Sequence, residues 1–189
     1  MDSLLFFVNF PEGKETQMEN RGLQRNWVRI LLTVLTLAVM VMIFLFSRET
    51  AQKSDATSGT LARFVISIVW PDFGEYPEEE QQAMFDGTQF AVRKAAHYTE
   101  YLLLGLLSRL CLESWFGKRR WLVPAAWGFS TLYAVTDEMH QLLIEGRSGQ
   151  WTDVLIDSAG ALTGVLIIAL VLWMVRKRNR LEETEEACP

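Results

Sequence analysis

The sequence is poor in the residues that build crosslinks and many catalytic sites. It contains two cysteines and two histidines among 189 residues. It has no nucleophilic serine or cysteine motif, no phosphate-binding glycine loop and no basic patch suited to nucleic acid. These absences argue against enzymes that depend on such motifs and against nucleic acid as a partner.

Charged residues are also nearly absent from one run that is long enough to cross a bilayer, for which about 20 mainly apolar residues are needed. Residues 27–46 carry only Arg29 as a charge. This run is longer than the apolar region of a signal peptide and follows a 26-residue leader, so we expect an uncleaved helix. Three weaker candidates cover residues 95–112, 121–136 and 154–175. The sequence therefore predicts an all-α, polytopic membrane protein with a bundle of four transmembrane helices.

The basic residues cluster at those ends of the predicted helices that lie on one side of the membrane. Because positive residues in short loops favour the cytoplasm, four alternating crossings put both termini in the cytoplasm. We predict a cytoplasmic leader (1–26), a membrane domain (27–175) with an outer loop (47–92), and a cytoplasmic tail (176–189). Cys111 and Cys188 then face the reducing side, and no disulfide framework is expected. The basic residues are Arg21, Arg25, Arg29, Lys118, Arg119, Arg120, Arg176, Lys177, Arg178 and Arg180.

The outer loop contains its own helix signals. Residues 61–70 place polar side chains on one face, which predicts a short interfacial helix that Pro71 ends. Pro77 followed by three glutamates predicts the start of another helix. The loop is acidic, and we interpret it as a solvated segment, with a docking site for a cationic ligand as the alternative.

Polar and ionisable residues collect near the outer ends of the second, third and fourth predicted helices. Helical spacing puts most of them on one face of each helix, although Glu138 lies roughly 100° from the face of Asp137. Charge inside a membrane is costly, so such groups are usually paired, directed inward and functional. The members of this polar cluster are Arg93, His97, Glu100, Tyr101, Asp137, Glu138, His140, Gln141, Arg147, Asp153 and Asp157.

A small-residue step follows the cluster on the fourth predicted helix. Gly160 and Gly164 are four residues apart and continue the face of Asp153 and Asp157. Such a step lets two helices approach closely. We therefore expect the fourth helix to bring Asp157 within reach of the other polar residues.

The residue types in the cluster fit several kinds of chemistry. His97, Glu100, Asp137 and His140 are the predicted catalytic set, because they could form a general acid/base pair or hold a divalent metal. The other members are predicted to contact a substrate, with Arg93 and Arg147 holding a phosphate or carboxylate. The alternatives are an interhelical salt-bridge network and a proton relay.

Two segments resemble the motifs of the VanZ-like family. Residues 93–105 (RKAAHYTEYLLLG) are similar to its first motif, and residues 137–141 (DEMHQ), Gly146-Arg147, Asp153-Val154 and 160–164 (GALTG) to its second. Phe46-Ser47 after the first helix is also typical. The resemblance covers roughly residues 28–175 and departs at Asp157, where many members carry asparagine. It implies a multi-pass bacterial membrane protein and an association with teicoplanin resistance.

Two classes of function follow from these observations. In the first, the chain binds or modifies an amphipathic substrate at the outer leaflet, such as a lipid-linked cell-wall precursor or a lipoglycopeptide. In the second, it is a non-catalytic protein of the cell envelope whose charges stabilise the bundle, or a proton-coupled transporter. Membrane lipids are expected partners in every case.

Overall fold

The computed structural model describes residues 14–144 and 149–186. Within these ranges the chain forms α-helices and one short 3-10 helix, Phe73–Glu75, with no strand. The predicted all-α class is therefore confirmed for this part of the chain. The α-helices are α1 Lys14–Ser47, α2 Ala51–Val69, α3 Glu78–Phe116, α4 Leu122–Gln141 and α5 Trp151–Glu186.

Two helices are long and apolar enough to cross a membrane, namely α1 over Gln24–Ser47 and α5 over Trp151–Glu182. Their outward faces keep large apolar side chains exposed, as Leu31 and Leu170 illustrate. Exposed apolar faces of this length are expected where a helix meets lipid tails. Helices also form at the other two predicted positions, but α3 and α4 lack comparable hydropathy. The four-span prediction is thus supported for two of its helices.

The helix boundaries differ from the sequence expectation where polar residues are frequent. α3 begins at Glu78 instead of near residue 95, with Pro77 as its N-cap, as the proline and glutamate signal predicts. α4 continues through Asp137 and Glu138 to Gln141 instead of ending at residue 136. Both carboxylates are buried, so they face other polar groups inside the protein and do not interrupt the helix.

The helix expected at residues 61–70 is longer than predicted. α2 has 19 residues and ends at Val69, just before Pro71. Its buried face consists of Ser58, Gly59, Ala62 and Ile66, and it packs against α3. Small side chains at this spacing allow close packing, whereas their modest hydropathy conceals the first half of the helix from a search for apolar runs.

α3 is the central helix, because it contacts each of the other four α-helices. Its contact with α5 is the most extensive and is made through glycines. A Cβ atom at Gly160 would collide with the backbone oxygen of Tyr98, and one at Gly164 with the backbone oxygen of Leu102. The close approach predicted from the small-residue step is confirmed.

One end of the bundle, the basic end, is defined by contacts near the start of α1 and the ends of α3 and α5. Nε of Arg29 donates to the backbone oxygen of Ser114 over 2.8 Å, and the guanidinium of Arg29 lies over the ring of Trp115. Arg176 of α5 forms an ion pair with Glu113 of α3. α3 is therefore antiparallel to α1 and parallel to α5.

The opposite end, the cluster end, contains the members of the polar cluster that lie within the described residues. Lys94 of α3 forms an ion pair with Asp153 near the start of α5. Oγ of Ser47, the last residue of α1, lies 3.5 Å from Nδ1 of His140 near the end of α4. The outer ends of the four predicted spans are thus on one side of the protein, as the alternating topology requires.

Candidate functional site

A group of three side chains from three helices forms the centre of the site. This three-helix cluster consists of His97 of α3, Glu138 of α4 and Asp157 of α5, and one ligand atom of each lies within 4.8 Å of the other two. Nδ1 of His97 is 3.6 Å from Oδ1 of Asp157. Asp157 is fully buried and Glu138 is 6% exposed. An imidazole and two carboxylates at this separation could share a proton or coordinate a cation.

The close contact of α3 with α5 brings Asp157 beside His97. Gly160 lies about one turn after Asp157 on α5. Because it has no side chain, its backbone packs directly against the backbone carbonyl of Tyr98. Tyr98 in turn directly follows His97 on α3. Any larger residue at position 160 would push α5 away and would separate the two members of the cluster.

Glu138 is held by the segment that leads into α5. The backbone N–H of Gln150 donates a hydrogen bond of 2.9 Å to Oε2 of Glu138. Gly149 makes this approach possible, since a Cβ atom there would lie 2.8 Å from the backbone oxygen of Glu138. The second carboxylate oxygen, Oε1, has no hydrogen-bond partner among residues 14–144 and 149–186.

A cleft of about 200 Å³ adjoins the three-helix cluster and lies between α1, α2, α3 and α4. We call it the amphipathic cleft because its walls differ in character. Its polar lining includes Arg93, His97, Glu100 and Asp137, and its apolar lining includes Ile43, Phe46, Leu61 and Val92.

Asp137 and Gln141, two of the three residues predicted to share a face of α4, lie together in the structure. They lie one turn apart, both buried, and Nε2 of Gln141 donates to Oδ2 of Asp137 over 3.2 Å. Asp137 lines the amphipathic cleft, whereas Gln141 lines a second cleft of about 200 Å³. The two clefts share Ser54, Arg93 and His97, which therefore lie between them.

Two ion pairs connect α3 to its neighbours at the cluster end. Arg93 binds Asp55 of α2, and both side chains are substantially exposed. Lys94 binds Asp153 of α5, and both side chains are largely buried. The sequence analysis did not place Asp55 or Lys94 in the site. Lys94 stands next to Arg93 in the motif, which was the one available signal, whereas nothing in the sequence connected Asp55 to Arg93.

The remaining predicted site residues are distributed unevenly. His140 lies against α1, with its ring centroid 4.9 Å from that of Phe44, and it does not belong to the three-helix cluster. Tyr101 is fully buried beside Tyr133, with their ring centroids 6.4 Å apart. Its hydroxyl has no hydrogen-bond partner in the described part of the chain. Arg147 lies outside the described residues.

The structure divides the two histidines of the predicted catalytic set between different surroundings. His97, Glu100 and Asp137 line one cleft, while His97 reaches Glu138 and Asp157 in the three-helix cluster. His140 is directed to Ser47 instead. Helical spacing determines which residues share a face, but it does not fix which neighbouring helix that face meets.

Comparison with known proteins gives a family match that is consistent with the two apolar helices. A family model described as VanZ/LLP1 matches residues 32–173, a range that includes every residue of both clefts and of the three-helix cluster. No curated protein and no solved structure gives a match. The match and the two apolar helices together indicate a membrane protein. The chain belongs to the VanZ/LLP1 family.

Proposed function

We propose that this chain crosses the membrane four times and binds the polar head of an amphipathic molecule in the amphipathic cleft. The bound molecule would be part of the outer leaflet or would enter from it. Through this binding, or through modification of the bound molecule, the protein would contribute to resistance against teicoplanin-type glycopeptides or to cell-envelope homeostasis.

Paired charges support four crossings although α3 has modest hydropathy. Arg109 is 4% exposed and donates a 2.6 Å hydrogen bond to Glu113, which also binds Arg176. Charges that are paired and directed inward cost far less in a membrane than the same charges facing lipid. A hydropathy average counts them at full cost and therefore underrates α3 as a membrane helix.

The distribution of basic residues supports the orientation. Arg29 and Arg176 lie at the basic end, near the loop of Lys118, Arg119 and Arg120 that joins α3 to α4. Positive residues in short loops favour the cytoplasm. The cluster end then faces outward, and the amphipathic cleft lies near the outer leaflet.

The lining of the amphipathic cleft carries the proposal about the ligand. Its apolar side, with Ile43 and Phe46, suits hydrocarbon, whereas its polar side, with Arg93 and His97, suits a charged or hydrogen-bonding head group. Sites that enclose whole small molecules usually measure about 300 Å³ or more. A cleft of about 200 Å³ fits the head or one sugar-sized part, with the acyl chain left in lipid.

The residues of the polar side have distinct roles in this proposal. Arg93 holds an anionic group, because a guanidinium can bind phosphate or carboxylate through two parallel hydrogen bonds. His97 acts as acid/base or as a ligand, and Glu100 and Asp137 orient it or the substrate. A lipid-linked cell-wall precursor and a lipoglycopeptide both combine such anionic groups with an acyl or prenyl chain.

Teicoplanin susceptibility tests this proposal in a sensitive Gram-positive host that expresses the chain. We expect the wild type to protect, and His97→Ala and Asp137→Asn to lose at least most of the protection at equal membrane levels. Asp86→Asn is the matched control, since Asp86 is an exposed carboxylate of α3 outside both clefts.

The control separates loss of the site from loss of the folded protein. Protection by the wild type and Asp86→Asn alone would support binding in the cleft. Equal protection by every variant would reduce the polar lining to a packing role. A wild type that gives no protection would overturn the link to glycopeptides.

A further inference from the structure

We infer that His97, Glu138 and Asp157 bind a divalent first-row transition metal such as Zn²⁺ or Mn²⁺. The inference deepens the proposed function. Metal binding itself is independent of that function, but the role of the metal toward a ligand in the amphipathic cleft rests on it. The ligand set shares only His97 with the four residues that sequence reasoning grouped as a possible metal site.

The first observation is the convergence of three ligand atoms from three helices. They lie within 4.8 Å of one another, although the three residues come from separate helices and are far apart along the chain. Metal–ligand bonds of about 2.0–2.2 Å place neighbouring ligand atoms roughly 3–3.5 Å apart. The side chains would therefore close by roughly 1–2 Å around an ion, a movement that rotation about their own bonds allows.

The second observation is that buried carboxylate oxygens lack hydrogen bonds. Asp157 is fully buried, and neither of its carboxylate oxygens accepts a hydrogen bond within the described residues. The same holds for Oε1 of Glu138, which is 6% exposed. Buried polar groups almost always have partners, and each exception requires an explanation. A cation bound between these oxygens would explain why they lack hydrogen bonds.

The third observation concerns charge. Two carboxylates a few ångströms apart in a low-dielectric interior repel each other strongly. The cations that neighbour His97 on α3 are engaged with other carboxylates, since Arg93 binds Asp55 and Lys94 binds Asp153. One divalent ion would balance the charges of Glu138 and Asp157, with His97 as a neutral ligand.

The mixture of donors selects the class of metal. Imidazole nitrogen favours Zn²⁺ and neighbouring transition metals, whereas two carboxylates also suit Mn²⁺. Mg²⁺ and Ca²⁺ are less suitable because they prefer oxygen ligands throughout. The backbone N–H of Gln150 orients Glu138, which is the kind of supporting hydrogen bond that metal ligands commonly have.

Three protein ligands are the number found in catalytic zinc sites, which keep a position open for water or substrate. His97 belongs to the cluster and also lines the amphipathic cleft. A metal at the three-helix cluster would therefore lie beside the head group that the cleft is proposed to hold, and it would bind or polarise an oxygen of that group.

Metal content of the full chain in detergent micelles tests the inference without any ligand. Purified protein is incubated with Zn²⁺ or Mn²⁺, passed through desalting, and its metal is measured per folded chain. We expect about one ion in the wild type, with at least a tenfold loss in Glu138→Gln and Asp157→Asn. Glu113→Gln, which removes a mostly buried carboxylate at the basic end, should keep the full content.

Co²⁺ provides a second, spectroscopic measurement of the same site. Bound to the wild type, it should give a visible absorption spectrum that Zn²⁺ or a chelator removes, and Asp157→Asn should lack it. A folded wild type with no stoichiometric metal and no such spectrum would overturn the inference, as would equal loading of Asp157→Asn. Metal binding without teicoplanin protection would retain this inference and reject the proposed function.

Discussion

Two adjacent cations on α3 form ion pairs that differ in burial. The side chains of Lys94 and Asp153 are 14% and 11% exposed, whereas those of Arg93 and Asp55 are 40% and 53% exposed. Losing one partner of a buried pair leaves an uncompensated charge in low dielectric. Losing one partner of an exposed pair leaves a charge that water screens. The two neighbours should therefore differ in their effect on stability.

We predict that Lys94→Met lowers the free energy of unfolding by roughly 3–5 kcal/mol because Asp153 loses its partner. Arg93→Met should change it by about 1 kcal/mol or less, because the exposed carboxylate of Asp55 is hydrated. Unfolding in mixed detergent micelles measures both. Adding Asp153→Leu to Lys94→Met should restore much of the loss, and equal losses in the two single variants would contradict the assignment of burial.

Helical spacing predicted part of the candidate site at the level of residues. It placed His97 with Glu100 and Asp137 with Gln141, and these groupings agree with the lining of the cleft and with the hydrogen bond on α4. It could not foresee that Glu138, which lies off the face of Asp137, would reach His97. The rotation of α4 against its neighbours is determined by tertiary packing, and a single-helix periodicity does not contain that information.

The same limit appears for whole helices. Hydropathy located α1 and α5, whose apolar faces are continuous, but it missed most of the first half of α3 and of α2. The first half of α2 buries small residues such as Ser58 and Gly59, and α2 packs against α3. A helix that buries small residues can have low hydropathy. For α3, Pro77 and the glutamates that follow it predicted the start of the helix better than hydropathy did.

The contact between α3 and α5 depends on glycine at defined positions. We predict that Gly164→Ala destabilises the protein by about 1–3 kcal/mol, because the added Cβ would meet the backbone of Leu102 and Leu106. Gly128→Ala on α4 is the matched control. No neighbouring atom lies within 4 Å of a Cβ added at Gly128. The free energy of unfolding of this variant should therefore be unchanged or rise by up to about 1 kcal/mol through helix propensity.

Thermal unfolding of the two alanine variants in detergent measures this difference. If α3 and α5 can separate slightly without loss, the melting temperatures of both variants will equal that of the wild type. That result would mean that the glycines are not required for the close contact. It would also weaken the argument that Gly160 positions Asp157 beside His97.

For the whole molecule, the alternating directions of α1, α3, α4 and α5 and the charge distribution both support the proposed four crossings. α1 and α4 begin at the basic end, where α3 and α5 finish. If only α1 and α5 cross the membrane, everything between them lies outside, including the loop with Lys118, Arg119 and Arg120. Placing three adjacent cations outside opposes the positive-inside tendency, whereas four crossings satisfy it.

Cysteine labelling in intact cells distinguishes these two topologies. In a chain that carries Cys111→Ser and Cys188→Ser, a membrane-impermeant maleimide should label Glu79→Cys in intact cells. It should label Lys118→Cys only after lysis, because α3 carries the chain from the outer side to the inner side between these positions. Both positions are exposed, so the difference reports the membrane and not burial. Labelling of both in intact cells would show that α3 and α4 do not cross, and the amphipathic cleft could then not lie between membrane-spanning helices.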